Sequence, residues 1–207
     1  MSATLYYVHD PMCSWCWGFE PTRERLFSTL EGRVTIERLL GGLAPDSDVP
    51  MPEAMQMGLQ QTWQRIEQVI PGTQFNYAFW TDCAPRRSTY PSNRAVIAAR
   101  LQAPEKDAEM TRRIQQAYYQ EARNPSDNST LIELAEDIGL DGQRFADDLV
   151  AESTHEALIR EIGVSRSMGI DSFPSLALKD ENGDLAHIRL SYNNPEVMLD
   201  QVDALIG

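Results

Sequence analysis

The chain has 207 residues, 18 basic against 31 acidic, for a formal charge of −13 at pH 7. Apolar residues make up 42% and charged residues 24%, enough for a core and unlike a disordered chain. The acidic balance argues against nucleic-acid and anionic-membrane partners, which need a basic face, and no run of about 18 apolar residues offers a transmembrane helix.

The chain starts Met1-Ser2-Ala3-Thr4, without a basic or an apolar leader region. Cys13 comes too early for a cleavable signal to precede it, so a cytoplasmic location is expected. Thr4 to Val8 is β-branched and aromatic and reads as a buried strand. His9-Asp10-Pro11 ends it. A helix begins near Cys13, with apolar Trp17, Leu26, Phe27 and Leu30, a kink expected at Pro21 and a stop at Glu31-Gly32. Val34 to Leu40 reads as a second strand, ending at Gly41-Gly42.

From Pro52 to Ile70, the residues Met55, Leu59, Trp63, Ile66 and Ile70 recur at helical spacing, which predicts one buried stripe that includes Met55. A short strand signal follows near Tyr77 to Trp80. Pro91 to Leu101 is alanine-rich and helical, Pro104 opens a further helix, and Asn124-Pro125 breaks it. Shorter helices are expected at Leu131 to Ile138 and Gln143 to Glu152, the first ended by Gly139. Ser153-Thr154-His155-Glu156 has a capping-box pattern ahead of a helix that Gly169 ends. Then come a strand at Leu176 to Lys179, an Asn182-Gly183 hairpin, a return strand at Leu185 to Leu190, and a final helix opened by Asn194-Pro195. A β-α-β start and a β-β-α finish suit one mixed sheet. The expected organisation is a discontinuous α/β domain of residues 1–43 and 153–207, with an α-helical insertion at 44–152.

Three cysteines are present: Cys13, Cys16 and Cys83. Three is few and odd for a disulfide scaffold. In a reducing compartment a close pair is more often catalytic or metal-binding than structural. Cys13-Ser14-Trp15-Cys16 falls where a strand runs into a helix. A thiolate there meets unpaired amides and the positive end of the helix dipole. The dipole supplies about 0.3–1 kcal/mol, at most about 2, and the thiolate is the nucleophile of disulfide exchange. Cys13 is expected to be the exposed attacker. Cys16, one turn inside, is expected to resolve the mixed disulfide. Zinc competes for such a pair, but it usually takes two close pairs of ligands. Only Cys83, His9, His155 and His187 remain, with no second short spacing, so no metal is expected.

The Thr4–Val8 strand, Cys13-Ser14-Trp15-Cys16 and Pro21 resemble the thioredoxin superfamily. The helical middle and the run Gly169-Ile170-Asp171-Ser172-Phe173-Pro174 resemble its DsbA-like branch. Asp10-Pro11-Met12-Cys13-Ser14-Trp15-Cys16-Trp17-Gly18-Phe19 is similar to the cytoplasmic FrnE-like thiol-disulfide isomerase subgroup. The resemblance implies a thioredoxin fold with the helical insertion. It also implies that Pro174 is cis and faces the pair, and that Phe173 offers backbone groups to an incoming peptide. Ser-Trp stands where strongly oxidising DsbA enzymes have Pro-His, so a weaker oxidant is expected.

The expected activity is thiol-disulfide exchange, of a protein disulfide isomerase-like kind, on protein or small-molecule disulfides. Cys13, Cys16 and Pro174 are its catalytic residues. Met12, Trp15 and Phe173 form its substrate-binding rim, while Trp17 enters the core and His9 is a possible assistant. The cofactor is the cysteine pair itself, with glutathione as a possible co-substrate. The partners are a thiol- or disulfide-containing substrate and a recycling redox protein. Cys83 reads as a small buried hydrophobe or as a third redox thiol. Arg86, Arg87, Arg94 and Arg100 read as solvated helix surface or as an anion site for glutathione carboxylates. Pro91-Ser92-Asn93-Arg94-Ala95 resembles a segment that approaches the active site in kappa-class glutathione transferases. Leu131 to Gly163, with nine acids against two arginines, reads as a solvated face. Two rivals stand beside this reading. One is a glutathione-dependent kappa-like transferase or isomerase, which needs only one nucleophilic position. The other is a non-catalytic binding module, which needs neither cysteine.

Overall fold

The computed structural model describes residues 3–207. Met1 and Ser2, the first positions of the expected 1–43 segment, lie outside the described residues. Thr4–His9 forms β1, the middle of the sheet, and Leu5, Tyr7 and Val8 are buried on it. Thr35–Leu40 forms β2, which pairs parallel to β1 from Thr4↔Thr35 to His9↔Leu40. A parallel pair needs a crossover, and α1 (Ser14–Leu30) supplies it, running on through Pro21. Ser175–Lys179 forms β3, antiparallel to β1, and Leu185–Ile188 forms β4, antiparallel to β3. The order is β2-β1-β3-β4, the mixed sheet expected from the two ends of the chain.

The hairpin forms at Gly183, which has a φ of 92°. Its strand β4 stops two residues short of the expected end. There the Gln201 side chain takes both backbone groups of Arg189, at 2.9 and 3.0 Å, in place of a strand partner.

Between β2 and the last strands the chain is helical: α2 (Glu53–Val69), α3 (Phe79–Asp82), α4 (Tyr90–Gln102), α5 (Lys106–Tyr119), α6 (Asn128–Asp137), α7 (Gly142–Val150) and α8 (Glu152–Ser167). The last helix is α9 (Glu196–Ile206). Three local expectations need correction. Met55 is 42% exposed rather than core. Only the second half of α2 packs, with Trp63, Ile66 and Ile70 buried. Tyr77 to Trp80 is not a strand. Asn76 Oδ1 accepts from Ala78 N at 3.0 Å and turns the chain into α3, whose Phe79 and Trp80 rings pack on Trp63. Ser153 does not cap α8. Ala151 ends α7 and starts α8 at once, so Ser153 already lies inside the helix.

One apolar cluster joins the sheet to α1 and α9 through Leu5, Tyr7, Phe19, Leu26, Leu178 and Met198. A second fills the space between α4, α5, α6, α7 and α8. An ionic chain ties the two regions together. Asp107 on α5 meets Arg38 of β2 at 2.7 Å and Arg100 of α4 at 2.5 Å. Arg100 reaches Glu161 of α8 at 2.6 Å, and Glu161 accepts from the Leu40 amide of β2 at 2.8 Å.

Candidate active site

Cys13 is the N-cap of α1, and no side chain caps that end. Its backbone N–H donates to Asp10 O at 3.0 Å, which turns the chain from β1 into α1. Its thiol donates to the carbonyl oxygen of Phe173 at 3.3 Å. The Phe173–Pro174 peptide bond is cis. Contrary to expectation Cys13 is not an exposed thiol: it is 6% accessible, covered in part by the Phe173 segment. Cys16 is fully buried and lies beside Cys13. Burial pushes the Cys16 thiol well up, and Cys13 beside it adds to the rise. All three cysteines are free thiols.

The loop that carries the pair hangs on a carboxylate absent from the sequence-based set. Asp10 is fully buried. Its Oδ1 accepts from Met12 N at 2.8 Å. Its Oδ2 accepts from Leu43 N at 2.7 Å, Thr89 Oγ1 at 2.7 Å and Asn93 Nδ2 at 2.8 Å. Burial raises its pKa, and those four donors oppose the rise. The Pro91–Ala95 segment thus reaches the site through Asn93.

The remaining residues are placed as follows. Met12 is 8% exposed and packs among Trp63, Phe79 and Tyr118, so little of it faces outward. Trp15 is half-buried against Tyr192, with ring centroids 5.0 Å apart. Trp17 is half-buried, stacked on Tyr119, and donates to Gln74 O at 3.3 Å. Phe173 is half-buried over Gly41, where a Cβ would fall 2.1 Å from its ring. Ser14 accepts from the Trp63 indole at 2.9 Å, which fixes α2 to the motif. His9 is buried and stacked on Tyr7 at 4.8 Å, and neither ring nitrogen has a hydrogen-bond partner among the described residues. Burial and the guanidiniums of Arg38, Arg23 and Arg100 hold its pKa well below the usual imidazole range. It is neutral at pH 7 and bonds to neither cysteine. Cys83 is half-buried and donates to Ala122 O at 3.0 Å. Burial raises its pKa too.

The basic stretch is largely neutralised. Arg86 pairs with Asp127, Arg94 with Asp46, and Arg100 with Asp107 and Glu161. A polar cleft of about 590 Å³, lined by Arg86, Arg94, Asp46 and Ser126 among others, adjoins the motif. Ser126 Oγ lies 4.0 Å from Met12 Sδ. Among the described residues no cluster of three or more His, Cys, Asp or Glu is arranged to hold a metal, and no helix is long and apolar enough to cross a membrane.

Comparison with known proteins places this geometry. A protein proposed to be a disulfide isomerase, from Nitrosomonas europaea, is 25% identical, with a TM-score of 0.85 over 99% of this chain and 97% of that one. The cytosolic disulfide reductase DsbM of Pseudomonas aeruginosa is 24% identical, with a TM-score of 0.78 and 97% of each chain covered; the form with GSH scores 0.74. In sequence, the ClpXP adapter protein SpxH of Halalkalibacterium halodurans is 24% identical over 92% of this chain and 63% of its own length. SpxH of Bacillus subtilis is 24% identical over 83% of this chain and 56% of its own. The chain therefore spans less than two thirds of these relatives. The profile of a family described as thioredoxin matches residues 6–201, and the chain belongs to that thioredoxin family, with a DsbA-like fold.

Proposed function

We propose that the protein is a cytoplasmic thiol-disulfide oxidoreductase whose working pair is Cys13 and Cys16. One observation carries the reading: the first of two neighbouring thiols sits at the bare N-terminus of α1, against the Phe173 carbonyl. The Cys13 thiolate attacks a substrate disulfide. That S–S bond breaks, a mixed disulfide forms on Cys13, and one substrate thiolate leaves. Cys16 gives up its proton and attacks Cys13 Sγ. The second substrate thiol departs, the substrate has gained two electrons, and the Cys13–Cys16 disulfide has formed. A thiol reductant, either a dithiol protein or glutathione, restores the pair. The reverse sequence oxidises or, with a second round, rearranges a substrate. The cytosolic name of DsbM and its structure with GSH support the compartment and the co-substrate. The polar cleft beside Met12 is a candidate place for glutathione.

Wild-type protein with glutathione and glutathione reductase should reduce insulin or a small disulfide, and Cys13→Ser should abolish turnover. A titration should place the couple below the roughly −120 mV of DsbA. Turnover that survives Cys13→Ser would contradict the reading. If Cys16→Ser leaves turnover intact, the kappa-like transferase rival gains.

A second reading comes from the SpxH relatives, named as ClpXP adapters. It treats the fold as a binding module. It expects partner binding to persist in a Cys13→Ser/Cys16→Ser variant.

A further inference from the structure

We propose that Tyr119 is a positioning residue for the Cys13 thiolate and acts through the hydroxyl of Ser14. The inference rests on the exchange reading above and adds a residue of α5 to that site. Tyr119 is the last residue of α5 and is fully buried. Its ring is held on four sides. It stacks on Trp17 at 5.7 Å, and its centroid lies 5.6 Å from Trp63, 5.3 Å from Phe75 and 4.4 Å from Tyr118. Its carbonyl accepts from Asn76 N at 2.7 Å. Two of these rings adjoin the cysteine motif. Trp17 follows Cys16 on α1, and the Trp63 indole donates to Ser14 Oγ at 2.9 Å. The Tyr119 hydroxyl lies beside Ser14, yet it is buried and has no hydrogen-bond partner among the described residues.

A buried hydroxyl that bonds to nothing is unfavourable, and each one in a folded protein calls for a reason. Here the missing partner is a charge that exists only when Cys13 ionises. A serine hydroxyl offers one hydrogen and two lone pairs. The Trp63 indole takes one lone pair of Ser14. The Tyr119 hydroxyl takes the other. The Ser14 hydrogen, which has no acceptor among the described residues, then turns to the sulfur of the preceding residue. Beside a neutral thiol this chain of bonds gains little. Beside a thiolate it is charge-assisted and each link strengthens the next, so it favours the ionised form of Cys13. Tyr119 is a donor throughout, because burial raises its pKa well above the usual range, with Tyr118 and Cys13 adding to the rise and Ser14 opposing it. The other titratable groups that face the pair do not fill this role. Tyr7 on β1 and Asp10 on the preceding loop bear on Cys16, and both Asp10 oxygens already have donors. Tyr192, just before α9, bears on both cysteines but is only half-buried.

The test follows alkylation of reduced protein by iodoacetamide across pH, with the modified site mapped to Cys13 by mass. Tyr119→Phe keeps the ring and removes the hydroxyl. It should move the midpoint of the Cys13 profile up by about one pH unit, a tenfold loss of thiolate below the midpoint, or about 1.4 kcal/mol. The lost hydroxyl had no partner, so the urea midpoint of the reduced protein should not fall. Ser14→Ala should move the profile in the same direction. The double variant should move it no further than the larger single change, because both act on one chain of bonds. Tyr77→Phe is the control. Its ring also packs on Trp63, at 5.6 Å, but its hydroxyl donates to Glu67 at 3.0 Å, and its profile should match wild type. An unmoved profile in Tyr119→Phe, or an equal shift in Tyr77→Phe, overturns the proposal. Full additivity in the double variant overturns the route through Ser14 and the proposal with it. The expected shifts in a protein that reduces no disulfide uphold the role of Tyr119 and overturn the exchange reading instead.

Discussion

The Cys13 sulfur lies 3.3 Å from the carbonyl oxygen of Phe173, across 160 residues of chain. Two loops meet there. One leaves β1 and is held by Asp10; the other enters β3 and is packed over Gly41. The Cys13 sulfur is therefore placed by contacts remote in sequence, and each of them can be perturbed separately.

Gly41 is the most direct handle on the Phe173 side. A Cβ there would overlap the Phe173 ring at 2.1 Å, so Gly41→Ala must push the ring and its carbonyl away from Cys13. Overpacking of this kind costs about 1–3 kcal/mol. The expected result is a folded protein, slightly lower in urea midpoint, with a changed rate of Cys13 alkylation. An unchanged rate would separate Phe173 from control of the thiol.

Asp10 is the handle on the other side. In Asp10→Asn the amide oxygen can serve Leu43, Thr89 and Asn93, but its NH₂ then faces the Met12 amide. The Met12 N–H and the new NH₂ are both left without an acceptor, at a cost of about 1–3 kcal/mol each. Burial raises the Asp10 pKa, so protonation is easier in the fold than in the unfolded chain. Its contribution to stability is full below the unfolded value of about 3.9 and is lost as pH rises through the folded value. Asp10→Asn should remove that acid-side slope from urea melts taken across pH, and it should shift the Cys13–Cys16 potential. A slope that persists would assign it to other carboxylates.

Much of this arrangement was legible beforehand, and the failures have physical causes. The strand was readable from the composition of Thr4–Val8 and the pair from its spacing, while the Phe173-Pro174 approach came from the family resemblance alone. Asp10 was not readable. Its partners Leu43, Thr89 and Asn93 lie 33 to 83 residues away, and no local pattern announces them. Met55 was misplaced because periodicity reports a face but not whether anything packs on it. His9 was misread because a histidine beside a motif looks chemical, whereas its ring is buried against Tyr7. The arginine stretch looked free because Asp46, Asp107, Asp127 and Glu161 are brought to it only by the fold.

Asp107 tests the joint between sheet and helices. Its side chain is mostly buried between Arg38 and Arg100. Asp107→Ala leaves both guanidiniums short of a partner, and breaking such a pair costs about 3–5 kcal/mol. A large fall in urea midpoint is expected. A fall under about 1 kcal/mol, the range of an exposed pair, would show that solvent reaches this joint.

In the proposed exchange, the resolving step carries the pH dependence. Burial holds the Cys16 thiol protonated well above neutrality, so only a small fraction is thiolate at pH 7. Below its pKa that fraction grows tenfold per pH unit. The lifetime of a mixed disulfide on Cys13 should therefore shorten as pH rises from 6 to 9. Stopped-flow release of a fluorescent leaving thiol measures it. A lifetime independent of pH would mean that Cys16 is not the attacking group.

Trapping the intermediate is the most direct measurement of the central claim. Cys16→Ser protein, mixed with a disulfide peptide and quenched in acid, should show by intact mass one peptide half attached, mapped to Cys13. Wild type under the same conditions should show the oxidised pair and free peptide thiols. No adduct on Cys13, or an adduct found only on Cys83, would contradict the account.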